Sequence, residues 1–197
     1  MPRAGLDPEA VVAAGAALAD EVGHARLTMA LLAERVGVRT PSLYKHVGGQ
    51  DDLNRRIAAL ALSEAADAVG AAVQGYAGCD ALAAAARAFR AFVLEHPGRY
   101  AATIGVEPSG PEDPMAAAGR RLLDAFTAVL RGYEIAEDDV DHALRMLRSL
   151  CHGFATLQAG GGFRWSADVD ESFAWLITFA DRGLCVMGSA GERGPAR

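Results

Sequence analysis

Long apolar runs are missing from this sequence of 197 residues, although 51% of its residues are hydrophobic. No segment approaches the roughly 18–20 consecutive apolar residues that a membrane-spanning helix needs. The opening residues, MPRAGLDPEA, also lack the apolar core of a secretory signal peptide. These two absences predict a cytoplasmic protein without a membrane partner.

Cysteine is scarce as well: Cys79, Cys151 and Cys185 are the only three, and they are widely spaced. No CxxC pair or Cys/His ligand spacing accompanies them, which argues against a disulfide framework or a zinc site. We therefore predict that all three are reduced and buried, as free cysteines usually are.

The segment DDVDH at 138–142 has the composition of a metal site, but acidic residues are also favoured at helix N-termini. A solvated helix end is the preferred interpretation, and neither a metal nor a cofactor is predicted.

Lysine is nearly absent, since Lys45 is the only one and the other eighteen basic residues are arginines. The net charge of −6 argues at first against a nucleic-acid partner. However, residues 1–60 hold seven basic and seven acidic side chains, whereas residues 61–197 hold twelve and eighteen. Within 23–56, basic residues outnumber acidic ones by six to three. A locally basic segment on an acidic chain is typical of a DNA-binding head joined to a different kind of domain.

Apolar residues recur at helical spacing almost throughout, and no convincing strand pattern is present. We predict an all-α fold of about nine helices. They are expected at 7–22, as two short helices within 28–47, and at 53–73, 80–95, 97–104, 114–132, 137–159 and 169–187. The first three helices form a compact head, so we predict a DNA-binding domain at 1–52 and a helical regulatory and dimerisation domain at 53–190.

The last two long helices are apolar on two faces, and a helix of that kind must be covered on both sides. One cover is the body of the same subunit. The second faces carry Ala143, Met146, Leu150, Gly153 and Leu157 in one helix and Leu176, Phe179, Gly183 and Val186 in the other. A second copy of the chain is the simplest cover for these residues, which predicts a homodimer joined by a two-fold four-helix bundle. The alternative is that both helices lie wholly inside one subunit.

The segment Thr28–Asp52 has the organisation of a helix pair that fits the major groove of DNA. Thr28 is placed to cap the first helix, Gly37 gives a tight turn, and the second helix is capped by Thr40 and opened by Pro41. The free N–H groups at the start of the first helix can hold a phosphate. Double-stranded DNA is therefore the first partner to test.

Polar side chains occupy the second helix at the positions that a groove-reading helix needs, while Leu43 and Val47 are predicted to pack inward. The polar set is Arg39, Thr40, Ser42 and Lys45, with Tyr44 beside them and His46 and Gln50 beyond the helix. Basic side chains there can bind guanine edges or phosphates, and hydroxyls or an aromatic ring can contact base edges or a thymine methyl group. For Tyr44, a packing role is an equally open alternative.

Residues 28–53, with GV-x-x-x-x-LY-x-HV followed by an acidic pair and Leu53, resemble the helix-turn-helix of the TetR family of transcriptional regulators. The resemblance in layout extends over nearly the whole chain. It implies that the head binds a palindromic operator as a dimer and that a small molecule bound to the body releases it, so the expected function is repression. HPGRYA at 96–101 and LCHGFATLQAGGGF at 150–163 resemble a subgroup with a His-Gly pair on the eighth helix.

By position, the same resemblance assigns individual contacts. Phosphate contacts are assigned to Thr28, Tyr44, His46 and Gln50, and base contacts to Arg39, Thr40, Pro41, Ser42 and Lys45. Two residues differ from the family pattern: Gln50 stands where a phosphate-binding lysine is usual, and Val47 replaces a common aromatic residue.

An effector site in the body needs apolar and aromatic walls with a few polar anchors. The candidates for such a site are Phe92, His96, Tyr100, Phe126, Leu147, Cys151, Phe154 and Trp175. They predict a largely apolar small molecule, although core packing is the alternative role for each of them.

We find no residues spaced for catalysis and predict no enzyme. The alternatives are an all-helical small-molecule-binding protein or enzyme with a vestigial DNA-binding head, and a protein-interaction module.

Overall fold

The computed structural model describes residues 6–191, and within them nine α-helices and no strands occur, which confirms the all-α prediction. The helices are α1 (Pro8–Val22), α2 (Met29–Arg35), α3 (Thr40–Leu43), α4 (Gln50–Ala72), α5 (Gly78–Glu95), α6 (Pro97–Ala101), α7 (Pro114–Leu130), α8 (Val140–Ala159) and α9 (Val169–Gly191). Short 3-10 turns occupy His24–Arg26, Arg131–Tyr133 and Glu137–Asp139. Among the residues described, no helix is both long and apolar enough to cross a membrane.

Two compact units make up the chain. Among the described residues, the first comprises 6–64 and 96–119, and the second comprises 65–95 and 120–191. Both α4 and α7 begin in the first unit and end in the second. The division into a DNA-binding domain at 1–52 and a regulatory domain at 53–190 stays a prediction. Residues 1–5 of the predicted DNA-binding domain lie outside the described part of the chain.

The start of α1 follows from its first two residues. The Asp7 carboxylate accepts a hydrogen bond of 2.7 Å from the Ala10 N–H, and Pro8, which has no N–H to satisfy, begins the helix. The helix ends at Gly23, whose φ of 86° only glycine adopts readily. The predicted cap at Asp7 is confirmed.

The core of the first unit lies where α1, α2, α3 and the beginning of α4 meet. Leu32, Leu43, Leu53 and Ile57 are completely buried there. A Cβ on Gly15 of α1 would lie only 3.2 Å from the terminal methyl carbons of Leu53 and Ile57. A side chain at position 15 would therefore crowd α4, and the small residue keeps the helices of the head tightly packed.

The short helix α6 is docked on α1 within the same unit. A Cβ on Gly98 would overlap the backbone carbonyl of Ala19, so only glycine permits this approach. The next residue, Arg99, donates from its backbone N–H and its Nε to the two carboxylate oxygens of Asp20, each at 2.8 Å. Its guanidinium also reaches Glu64 of α4 at 2.7 Å. One arginine thus ties α6 to both α1 and α4.

Replacing Arg99 with alanine is expected to lower the free energy of unfolding by about 2–3 kcal/mol, because it removes the guanidinium from the largely buried Asp20 carboxylate and from Glu64. The side chains of Arg99 and Asp20 are only 13% and 15% exposed, so water cannot replace the lost contacts fully. In thermal unfolding followed by circular dichroism, the midpoint should fall by about 5–10 °C. Arg87→Ala, at an exposed position on α5, is the matched control and should leave the midpoint unchanged. Equal midpoints for both variants would contradict the anchoring role.

The second unit is built around α5, α8 and α9. Arg90 of α5 fastens it, because the guanidinium lies 4.7 Å from the ring centroid of Phe173 and donates to Gln158 at 2.7 Å and to Asp170 at 2.6 Å. The face of an aromatic ring attracts such a cation. Arg90 is only 12% exposed and joins all three helices.

The two-faced character predicted for α9 is confirmed. Its inner face, formed by Phe173, Ile177, Ala180 and Leu184, is buried. On its outer face Phe179 is 60% and Val186 is 65% exposed. In α8 the division is less regular, since Leu157 of the predicted outer face is 55% exposed whereas Ala143 of the same face is buried.

The prediction that all three cysteines are buried is wrong for two of them. Cys151 is buried, and burial raises the pKa of its thiol to about 12. Cys79 and Cys185 are exposed, although all three are free thiols. Cys79 is the second residue of α5, where the buried stripe has not yet begun, and Cys185 lies off the inner face of α9.

Candidate nucleic-acid interface

The helix pair predicted at 28–47 is present as α2 and α3, separated by a turn at Gly37. The Thr28 hydroxyl accepts a hydrogen bond of 3.2 Å from the Leu31 N–H, which confirms it as the cap of α2. Gly37 has a φ of 70°, a conformation that glycine adopts without the strain a side chain would bring.

The second helix is shorter than its sequence pattern suggests. It spans Thr40–Leu43 and is followed by turn residues to His46. Arg39 rather than Thr40 occupies the cap position and makes no side-chain capping bond, so the predicted Thr40 cap is wrong. The segment is held instead by its inner side, because Leu43 is completely buried and Val47 is 2% exposed.

The predicted DNA-contacting residues divide by exposure along this segment. The exposed ones are Thr28, Arg39, Pro41, Tyr44 and Lys45, and the half-buried ones are Thr40, Ser42, His46 and Gln50. Tyr44 is 57% exposed, so its ring is not part of the core, and the alternative of a packing role left open by the sequence does not apply in this structure. A phenol ring that points into solvent beside a buried leucine is available for an external contact.

Ion pairs separate the basic side chains of the head into two groups. Arg35 pairs with Glu21, and Arg56 lies 3.0 Å from Asp52. Within the described part of the chain, neither Arg39 nor Lys45 takes part in an ion pair. Arg39 and Lys45, which flank α3, are therefore available to an outside anion.

Asp52 shows how the start of α4 is organised. Burial raises the pKa of its carboxyl, but a 2.8 Å hydrogen bond from the Gly48 N–H and the charges of Arg56 and Arg55 outweigh burial, so the pKa is lowered. The stabilising contribution of this ionised group is present above the ordinary carboxyl pKa and is lost as pH falls through the lowered value. Asp52 thus closes the turn before α4 and neutralises nearby arginines.

Gln50, predicted to contact phosphate, has its amide engaged inside the head. Its Oε1 accepts a hydrogen bond of 3.1 Å from the Met29 N–H, and its Nε2 donates to Asn54 at 3.0 Å. No sequence pattern indicated the first of these bonds, since Met29 lies 21 positions earlier in the chain.

The predicted effector-binding residues do not share one environment. His96 and Tyr100 belong to the first unit, where His96 Nδ1 lies 3.4 Å from Asp20. In the second unit, the buried members are Phe92, Phe126, Leu147 and Cys151. Trp175 is 71% exposed and so does not lie in the interior of the second unit, and its place in an effector site stays a prediction.

Trp175 lines a groove of about 390 Å³ on the outside of the second unit instead. Phe154, half-buried and from the predicted set, lies in the same groove with Phe163, Trp165 and Phe179. Phe163 and Trp165, which follow α8, were not among the predicted effector-binding residues. Among the residues described, no cluster of three or more acidic, histidine or cysteine side chains could hold a metal ion.

Comparison with known proteins identifies the chain. The sequence model described as the Tetracyclin repressor-like C-terminal domain matches residues 82–180. The uncharacterized HTH-type transcriptional regulator YobS of Bacillus subtilis is 33% identical over 189 residues, covering 94% of this chain and 96% of YobS. The chain belongs to the TetR family of helix-turn-helix transcriptional regulators. The uncharacterized HTH-type transcriptional regulator Rv0681 of Mycobacterium tuberculosis is 30% identical, and the match covers 91% of this regulator and 82% of Rv0681.

Solved structures show the same fold at lower identity. A protein of unknown function from Rhodococcus sp. RHA1 has a TM-score of 0.78 and 23% identity, covering 94% of this TetR-family regulator and 99% of that chain. BioQ, solved with its double-stranded DNA operator, has a TM-score of 0.68 and 20% identity over 92% and 99% of the chains. A TetR variant from Acinetobacter baumannii, solved with minocycline, has a TM-score of 0.64 and 23% identity over 98% and 100%.

Proposed function

We propose that this TetR-family regulator represses transcription in the cytoplasm by binding a palindromic operator as a homodimer, and that a largely apolar small molecule releases it. The DNA-binding part rests on Arg39 and Lys45, which make no ion pair among the described residues and lie on either side of the exposed Tyr44 in the sequence. Support comes from BioQ, a protein of the same fold that binds operator DNA, and from the minocycline complex of a TetR variant.

The residues of the head take different roles in this proposal. Arg39 and Lys45 bind base edges or phosphates in the major groove. The guanidinium of an arginine can donate two parallel hydrogen bonds, and the ammonium of a lysine acts as a compact positive charge. The smaller base-contacting residues are Thr40, Pro41 and Ser42. Thr28, Tyr44 and His46 contact the phosphate backbone of DNA. Such contacts fix the position of the protein on the duplex but do not distinguish one base sequence from another.

Dimerisation is proposed to occur through the outer faces of α8 and α9. Leu157, Phe179 and Val186 are each more than half exposed, and such a cluster of large apolar side chains favours an interface. An isologous pairing places two copies of each helix in a four-helix bundle. The two heads would then occupy successive major grooves about 34–36 Å apart.

Release is proposed to pass through α6. Within the first unit, Arg99 joins α6 to α1 and α4, so a displacement of α6 by an effector would be transmitted to the helices of the head. DNA and effector would favour different arrangements of these helices. Their affinities would then oppose each other by one coupling free energy.

The test is operator binding by Lys45→Ala and Tyr44→Ala. Duplexes covering the DNA beside the gene are screened for binding to the wild type in a gel shift at controlled salt. On a retained duplex, Lys45→Ala should bind at least about tenfold more weakly, since each base contact contributes about 1–3 kcal/mol. Tyr44→Ala should also bind more weakly, because it loses a contact to the DNA backbone. Because the proposed dimer carries two copies of Lys45, Lys45→Ala should also reduce the salt slope by about two if Lys45 contacts phosphate.

Arg87→Ala removes an exposed cation outside the head and serves as the matched control for charge. Both head variants should retain the wild-type circular dichroism and sedimentation. Wild-type affinity in Lys45→Ala and Tyr44→Ala would refute the assignment of α3 as the reading element.

A further inference from the structure

We propose that Gln50 is a positioning residue of the DNA-binding head: it holds the start of α2 against the start of α4 and acts on DNA through α2. This inference rests on the proposed DNA-binding function. It assigns to Gln50 a role other than the direct phosphate contact predicted from its position in the sequence.

The geometry fixes the orientation of the Gln50 amide. A backbone N–H can only donate, so the atom that faces Met29 at 3.1 Å must be the oxygen, Oε1. The amide nitrogen is then directed to Asn54, whose Oδ1 accepts at 3.0 Å. Each end of the amide therefore has a protein partner, one on α2 and one within α4.

The start of α2 needs such a partner. The first backbone N–H groups of any helix lack an acceptor inside it. In α2 the Thr28 hydroxyl serves Leu31 and the Gln50 amide serves Met29, the first residue of the helix. Because α2 has only seven residues, contacts outside the helix must stabilise it.

The start of α4, which carries Gln50, is anchored in the core of the head. Gln50 is the first residue of α4, and Leu53 and Ile57 in the first two turns of that helix are completely buried. Asp52 fixes the preceding turn through the Gly48 N–H. The Gln50 side chain therefore sets where α2 begins relative to a well-anchored helix, and α2 in turn packs against α3.

The first measurement is the hydrogen exchange of the Met29 amide, followed by NMR in the full-length protein without DNA. Gln50→Ala removes the acceptor and should accelerate this exchange by about fivefold to tenfold, the effect of losing one hydrogen bond. Gln50→Glu keeps an acceptor oxygen and should restore protection. Gln74→Ala, an exposed glutamine beyond the end of α4, is the control and should leave Met29 unchanged.

The second measurement is binding to a duplex of about 40 base pairs that the wild type retains, long enough for two half-sites one turn apart. Gln50→Ala should bind about fivefold more weakly with an unchanged salt slope, because a neutral amide releases no counterion. Asn54→Ala should produce part of the same loss, and the double variant should lose no more than Gln50→Ala alone.

Weaker DNA binding by Gln50→Ala without faster Met29 exchange would overturn the proposal in favour of a direct contact. Faster exchange with wild-type affinity would overturn it as well, since α2 would then need no positioning. If the wild type binds no duplex, the DNA-binding function fails, and the positioning role falls with it. The exchange measurement would still report separately whether the Gln50 to Met29 hydrogen bond exists.

Discussion

A single glutamate at Leu157 or at Val186 is expected to turn the proposed dimer into monomers. In an isolated subunit these side chains are 55% and 65% exposed, so a charge there stays in water and the fold is retained. In a dimer built on α8 and α9, the carboxylate would be buried without a partner, at a cost of several kcal/mol. Two-fold symmetry places the change on both sides of the interface. The dimer dissociation constant should rise by about a thousandfold or more.

Sedimentation velocity over a concentration series measures this change directly. The monomers should also lose most of their operator affinity, because two linked heads bind far more tightly than separate ones. Tyr76→Glu is the matched control, since Tyr76 is 59% exposed and lies after α4 beside the end of α7, not on α8 or α9. Dimers that persist in both Leu157→Glu and Val186→Glu would show that the subunits associate through another surface.

Gly98→Ala is expected to destabilise the protein by about 3 kcal/mol or more. The added Cβ would overlap the backbone carbonyl of Ala19, which cannot move away without distorting α1. Overpacking against side chains can be relieved by new rotamers, but overpacking against backbone cannot. The docking of α6 on α1 should therefore be lost or displaced.

Urea unfolding monitored by circular dichroism tests this effect on stability. Gly70→Ala is the control, because Gly70 lies inside α4 with no atom near the added Cβ. That variant should gain about 0.5–1 kcal/mol from improved helix propensity. Equal stability of Gly98→Ala and the wild type would mean that α6 does not approach α1 closely in solution.

Local features of the fold could be predicted from the sequence because they depend on neighbouring residues. Asp7 and Thr28 accept hydrogen bonds from N–H groups three positions later, and such spacing can be read directly from the chain. The buried stripe of α9 follows from apolar residues at helical spacing in the same way. The inward positions Leu43 and Val47 of the reading segment were predicted correctly for this reason.

Contacts between distant residues could not be predicted. Arg99 and Asp20 are 79 positions apart, and neither residue differs in pattern from an arginine or aspartate on a solvated surface. The hydrogen bond between Gln50 and Met29 could not be predicted either. Gln50 is polar and lies near predicted DNA contacts, so its side chain was expected to face outward toward a phosphate. The exposure of Trp175 in a groove at α8 and α9 could not be predicted either, since it depends on how the two helices pack.

The internal ion pairs of the head bear on how this regulator finds its site in a genome. Glu21 and Asp52 neutralise arginines that would otherwise attract any stretch of duplex equally. Since competing non-specific sites outnumber an operator by about a millionfold or more, occupancy depends on the ratio of specific to indiscriminate affinity. By pairing these arginines within the protein, the head gives up part of its total attraction to DNA and should spend less of its time on non-specific sequence.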